Sequence, residues 1–151
     1  MENDDNTYSE EILNILKAVE NDNNEHIINH SRTSIQRTKN NILQQLHLKS
    51  DKLKLYHAKL KDYMYIDDLR NIHYGSYIRW INIKNPDKLN LANGGIICNV
   101  KFYEDGVQIL CKNAMFRMFQ IKFDECIIFQ KLTDQEQVLL DVMQYLDKNK
   151  E

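Results

Sequence analysis

The chain has 151 residues, of which 42% are hydrophobic and 28% charged, and its formal net charge is −2. This length corresponds to one domain, or to one small domain with an extension, and the charged fraction favours a soluble protein with much exposed surface. The longest apolar runs are three or four residues, far short of the roughly 20 that a membrane-spanning helix needs, so no membrane association is expected.

Residues 1–24 form an acidic N-terminal segment. The first 25 residues contain eight acids and one base, which gives this part of the chain a net charge of −7. The apolar residues Ile12, Ile15, Leu16 and Val19 have helical spacing, so a short helix is expected over about residues 8–20. The polar run 21–24 competes for backbone hydrogen bonds and is predicted to end it.

Residues 25–70 are predicted to form a long amphipathic helix of the coiled-coil type. No glycine or proline interrupts this stretch, and residues 26–66 contain eight bases and two acids. Isoleucine, leucine and tyrosine recur at seven-residue spacing, at the a and d positions of a heptad. The predicted interface with a second copy or a partner helix, centred on residues 40–66, consists of Ile35, Ile42, Leu46, Leu53, Tyr56, Leu60 and Tyr63. The alternative is a single amphipathic helix that folds back on the rest of the chain.

Residues 75–131 alternate with the two-residue period of β-strands. Five strands are expected, at 77–83, 96–103, 107–112, 115–123 and 126–131. Five short strands favour an α+β fold with a small antiparallel SH3-like or Sm-like β-barrel, or a strongly bent sheet. Asp105-Gly106 predicts a two-residue hairpin turn, which would pair Phe102 with Ile109 and place Cys98 on the buried face.

Residues 132–151 are predicted to form a C-terminal helix. Thr133 and Glu136 have the spacing of a capping box, in which each side chain bonds the backbone N–H of the other residue. An apolar stripe of helical spacing follows, made of Val138, Leu139, Val142, Tyr145 and Leu146.

Residues capable of catalysis or metal binding are few. His26 and His30 are four residues apart, but no cysteine or carboxylate cluster accompanies them, so an exposed pair is expected in place of a metal site. Cys98, Cys111 and Cys126 lie in apolar runs without paired spacing, which indicates small buried thiols in an intracellular, reducing compartment. The sequence therefore predicts a protein that is not an enzyme and has no cofactor, metal or small-molecule substrate.

Two binding functions remain open. The heptads favour a structural or adaptor protein that assembles through its helix and presents the β domain. The alternative is binding of DNA or RNA, because small β domains stack bases on aromatic side chains beside a basic track. The candidate contacts for a nucleic acid are Arg79, Trp80, Lys101, Tyr103, Lys112 and Arg117.

The β segment also contains two short runs, Tyr74-Gly75-Ser76-Tyr77-Ile78-Arg79-Trp80-Ile81 and Gly94-Gly95-Ile96-Ile97. They resemble parts of small uncharacterised proteins encoded by nucleocytoplasmic large DNA viruses. The resemblance covers about a third of the chain and consists of turn glycines and strand residues. It implies a viral protein of unassigned role, in the host cytoplasm or nucleus or in the virion, and it transfers no functional residues.

Overall fold

The computed structural model describes residues 2–149, with side chains for residues 10–22 and 24–149. The fold is α+β. Its helices are α1 (Glu2–Glu20), α2 (Glu25–Ile28), α3 (Arg32–Gln44), α4 (Ser50–Lys59) and α5 (Asp134–Asn149). Its strands are β1 (Tyr63–Ile66), β2 (Tyr77–Asn82), β3 (Gly95–Tyr103), β4 (Gly106–Lys112), β5 (Met118–Lys122) and β6 (Cys126–Lys131). In the described part of the chain, no helix is long and apolar enough to span a bilayer.

The chain divides into two compact units. The helical unit comprises residues 1–35 and 132–151, and the sheet unit comprises residues 36–131. The sequence of the helical unit contains thirteen acids and four bases, a net charge of −9, while that of the sheet unit contains sixteen bases and nine acids, a net charge of +7. The net charge of −2 therefore results from two units of opposite sign.

The prediction of one long helix over 25–70 is wrong, because the structure has three helices and a strand there. Ser31 and Ser34 cap the start of α3: each backbone N–H donates to the hydroxyl of the other residue, at 2.9 and 3.0 Å. After α3, His47 adopts a positive φ of 52°, which a continuing helix does not allow. Side-chain caps and one left-handed residue thus interrupt a segment that lacks both glycine and proline.

The sheet has six antiparallel strands in the order β1-β6-β2-β3-β4-β5 and is open, with β1 and β5 at its edges. The prediction of five strands is wrong because Tyr63–Ile66, assigned to the helix by its heptad position, pairs with β6. Its aromatic and β-branched residues suit a strand, and Met64 and Ile66 are buried. Within residues 2–149 the strands form an open sheet and no closed barrel.

The two faces of the sheet have different environments. Paired residues share a face and successive residues alternate, so the register assigns each side chain to one side. One face buries at least one apolar residue from every strand: Met64, Ile66, Ile128, Ile78, Ile97, Ile109, Cys111 and Ile121. On the other face, strands β1, β6 and β2 carry Tyr65, Phe129 and Ile81, which pack with residues of α3 and α4.

The β3–β4 hairpin differs from its predicted register. Tyr103 pairs with Gly106 and Phe102 with Val107, so the turn is Glu104-Asp105 and not Asp105-Gly106. A β-bulge between Ile97 and Asn99 then inserts Cys98 as an extra residue. The bulge exchanges the faces of the residues before it: Ile97 is buried, whereas Cys98, predicted to be buried, is exposed.

In the helical unit, the capping box at the start of α5 is confirmed. The Thr133 N–H donates to Glu136 Oε1 at 2.9 Å, and the Glu136 N–H donates to Thr133 Oγ1 at 3.1 Å. The other carboxylate oxygen of Glu136 lies 2.9 Å from His26 Nε2. Asn21 and Asn24 both donate to Gln135 Oε1 on α5. These bonds connect the segment after α1 to the first turn of α5.

Candidate functional site

Six of the seven predicted interface residues lie in the sheet unit, where they belong to its hydrophobic core. Tyr56 and Leu60 are buried, and the partly buried Ile42, Leu46, Leu53 and Tyr63 pack against the same cluster. Ile35, in the helical unit, is also buried. The heptad spacing therefore coincides with side chains that contact the sheet of their own chain.

Two polar groups connect these helices to the rest of the sheet unit. The Tyr56 hydroxyl donates to the Leu89 carbonyl at 3.1 Å and accepts from the Leu91 N–H at 3.0 Å. Lys39 is only 1% exposed, and its Nζ donates to the carbonyls of Leu60 and Lys61, at 2.7 and 3.3 Å. Burial lowers the pKa of Lys39 to about 8, although Asp62 opposes the shift. Lys39, one of the eight bases in the segment predicted as a long helix, is thus a buried cap for the end of α4.

The structure separates the predicted nucleic-acid contacts. Lys101, Tyr103 and Lys112 lie on the face of the sheet opposite to the one carrying Ile97 and Ile109. Arg79 is on the same side, two strands away from β4, and its Nε donates to the Ala92 carbonyl at 2.9 Å. Arg117 is exposed in the β4–β5 loop. Trp80 does not join this set, because it pairs with Ile128 on the other face.

We call the surface defined by Lys101, Lys112 and Lys122 the lysine face. The register places Lys101, Gln108 and Lys122 side by side on β3, β4 and β5. The next row is Asn99, Leu110 and Gln120, and the row after it includes Lys112. The three strands contain no acidic residue, and the nearest acids in sequence are in the adjoining turns. One of these acids is Glu125, which has a carboxylate oxygen 4.0 Å from Lys122 Nζ. Lys122 joins the site only through the register, which explains why the spacing of residues along the chain does not reveal it.

At one end of this face the β4–β5 loop exposes large apolar side chains. We call the group Ile96, Met115, Phe116 and Met118 the apolar tip; its members are 47%, 72%, 78% and 50% exposed. Ile96 and Met118 both pair with Lys112. The ammonium of Lys112 lies 4.7 Å from the centre of the Phe116 ring, a cation–π contact.

The backbone of this loop is well defined by hydrogen bonds. Asn113 Oδ1 accepts from the N–H groups of Met115 and Arg117, at 3.0 and 2.9 Å, and the Asn113 N–H donates to the Arg117 carbonyl. Phe116 has a φ of +61°, which is uncommon for a residue other than glycine. The loop thus holds an aromatic ring in the solvent with an unfavourable backbone conformation, a combination that often accompanies binding.

Several other titratable side chains are buried or partly buried in the fold. His26 is 13% exposed and contacts Glu136, and His30 is also partly buried, so the prediction of an exposed His26–His30 pair is wrong. Burial works to raise the pKa of Glu136, but hydrogen bonds from His26 and Thr133 outweigh it and hold that pKa below its ordinary value. Burial raises the pKa of Cys111 to about 12 and that of Cys126 to about 11, so both stay protonated thiols. Within residues 2–149, no group of three or more potential ligands is arranged to hold a metal ion.

Comparison with known proteins gave no match. No protein-family model matches the chain, and no curated protein or solved structure is significantly similar to it. The resemblance of the β segment to small proteins of large DNA viruses therefore stays a prediction.

Proposed function

We propose that this chain is a non-catalytic binding protein whose lysine face holds single-stranded nucleic acid. The observation that carries the proposal is the charge of β3, β4 and β5. These adjacent strands contain three lysines and no acid, and their register brings all three lysines to one side of the sheet.

The surrounding groups fit a phosphodiester chain. The sheet unit has a net charge of +7, which attracts a polyanion from a distance and favours its encounter with the lysines. Asn99, Gln108 and Gln120 share the face with the lysines. Amide side chains of this kind donate hydrogen bonds to phosphates and sugars and position a strand without selecting its sequence. The face therefore favours binding with little sequence preference.

Two exposed rings supply stacking surfaces. Tyr103 is 48% exposed at the hairpin end of the face, and Phe116 is 78% exposed at the other end. Stacking of a base on an aromatic side chain contributes about 1–3 kcal/mol and tolerates any base. Bases are free to stack in this way in single strands, which favours a single-stranded ligand over a duplex.

Fluorescence anisotropy with labelled oligothymidylate and oligouridylate tests the proposal. Binding should weaken as salt rises, because a cation that contacts a phosphate contributes roughly −0.7 to the slope of log K against log salt for a single strand. Lys101→Gln and Lys122→Gln should each weaken binding and reduce that slope by about 0.7. Lys88→Gln is the matched control, since Lys88 is an exposed lysine of the sheet unit outside β3–β5.

Two results would contradict the proposal. One is the absence of binding to either oligonucleotide at low salt. The other is an equal loss of affinity in Lys88→Gln and in the two lysine-face variants, which would mean that net charge matters and the lysine face does not.

A further inference from the structure

The exposed side of α1 carries a stripe of large aliphatic residues. We call Ile12, Leu13, Leu16 and Val19 the α1 stripe; they are 56%, 53%, 50% and 52% exposed. Ala18, on another side of the helix, is fully buried, and α1 contacts α5. The helix therefore has one face packed within its own unit and a second apolar face in the solvent. Four adjoining aliphatic residues on an exposed helix face indicate an interaction surface.

The charges on α1 indicate what kind of surface would cover the stripe. Glu10, Glu11 and Glu20 are exposed on the same helix, and Lys17 is the only base among residues 10–20. The helical unit as a whole has a net charge of −9. Two such helices would repel one another, so a symmetric contact between two α1 helices is disfavoured. The complementary partner is an exposed apolar patch bordered by basic residues.

The same chain presents such a patch on its sheet unit. The apolar tip exposes two methionines, a phenylalanine and an isoleucine, and the bases Lys112 and Arg117 adjoin it. Methionine side chains adapt readily to a partner, which suits a surface that receives an aliphatic helix. Both the polarity and the charge of the tip are thus complementary to those of α1.

From this complementarity we infer that the α1 stripe of one copy docks on the apolar tip of a second copy, so that the protein self-associates head to tail. The two contacting surfaces are different, which makes the contact heterologous. A heterologous contact leaves one free α1 and one free tip in every dimer, so association continues to larger species unless a ring closes. This inference does not depend on the proposed nucleic-acid function.

Sedimentation velocity and light scattering of the full chain provide the first test. The wild type should be heavier than the 18.0 kDa monomer, with a mass that increases with protein concentration. The mass should fall as salt rises from about 0.1 M, where the Debye length is about 10 Å, toward higher ionic strength, because the opposite charges are then screened.

Two single variants each disable one surface. Leu16→Asp places a charge in the α1 stripe at a half-exposed position, and Phe116→Asn removes the aromatic ring of the tip. Asparagine tolerates the positive φ of Phe116, so this change adds no backbone strain. Each variant alone should be an 18.0 kDa monomer. Asn14→Asp is the matched control: it adds the same charge to α1 outside the stripe and should still associate.

Mixing the two variants distinguishes this contact from other modes of association. Leu16→Asp retains the tip and Phe116→Asn retains the stripe, so an equimolar mixture should form a dimer and stop there. A wild type that stays monomeric at all concentrations would overturn the inference. So would a mixture that remains monomeric while the wild type associates, because the mixture contains an intact stripe and an intact tip that then fail to bind each other. The far-ultraviolet circular dichroism spectrum of Leu16→Asp, compared with that of the wild type, would show that this variant is folded.

Discussion

The substitution Tyr56→Phe separates the two interpretations of the helical segment. The Tyr56 hydroxyl bonds the Leu89 carbonyl and the Leu91 N–H, and the residue is only 6% exposed. Phenylalanine fills the same volume, so no cavity forms, but two backbone groups lose their partner. An intramolecular hydrogen bond contributes about 1 kcal/mol, so the loss of both should lower the free energy of unfolding by about 2 kcal/mol. In an intermolecular coiled coil, phenylalanine at this apolar position would be neutral or favourable.

Urea denaturation followed by tryptophan fluorescence measures this change. Trp80 is the only tryptophan and lies in β2 of the sheet unit, so its emission reports the unfolding of that unit. With a urea m-value of about 2 kcal/mol/M, the midpoint should fall by roughly 1 M. Tyr74→Phe is the matched control, because Tyr74 is 66% exposed, and its midpoint should not change. A midpoint shift in Tyr56→Phe no larger than in the control would refute the assignment of Tyr56 to the internal core.

Three further predictions concern the other polar and strained residues. Burial lowers the pKa of Lys39 from 10.5 to about 8, so the folded protein releases this proton at a lower pH than the unfolded chain does. The wild type should therefore gain roughly 2 to 3 kcal/mol of stability relative to Lys39→Met as the pH rises through this interval. A stability difference that does not change with pH would contradict the burial of Lys39. The pKa of Glu136 is lowered, so its stabilisation is present above its unfolded value of 4.5 and is lost as the pH falls through its folded value. Glu136→Gln should therefore be less stable than the wild type by about 1–3 kcal/mol at neutral pH, and this difference in the free energy of unfolding should disappear in acid. The control Glu10→Gln, at an exposed position, should be as stable as the wild type at either pH. Phe116→Asn should not reduce stability, because asparagine tolerates the positive φ and this gain offsets the loss of a few side-chain contacts. A loss of more than about 1 kcal/mol in thermal denaturation would contradict the claim that the backbone at Phe116 is strained.

The sequence predicted part of the candidate nucleic-acid site. Lys101, Tyr103 and Lys112 were expected to contact a ligand because they are basic or aromatic residues of strands, and the structure places them on one face. Trp80 was expected with them for the same reason, but the register of β2 with β6 turns it to the other side. Residue type is visible in a sequence, whereas a shared face across several strands depends on long-range pairing.

The helical segment was mispredicted for a related physical reason. Heptad spacing describes one apolar side of a helix, and it is the same whether that side meets another chain or the sheet of its own chain. Lys39 illustrates the difficulty. Its neighbours in the sequence do not show whether its side chain is in the solvent or buried, as it is here, against the end of α4. The strand at Tyr63–Ile66 was missed because Tyr63, its first residue, continues the heptad series of Ile42 and Tyr56.

The sequence by itself determined the features that depend on neighbours along the chain. These are the locations of β2 to β6, the C-terminal helix with its Thr133–Glu136 capping box, and the opposite charges of the N-terminal and central segments. Only the tertiary structure decided the division of the long helix, the sixth strand, the bulge at Cys98 and the burial of Lys39. Each of these depends on contacts between residues far apart in the chain, and local periodicity carries no information about such contacts. The lysine face belongs to both groups: Lys101 and Lys112 were expected from the sequence, whereas only the register of β3, β4 and β5 places Lys122 beside them.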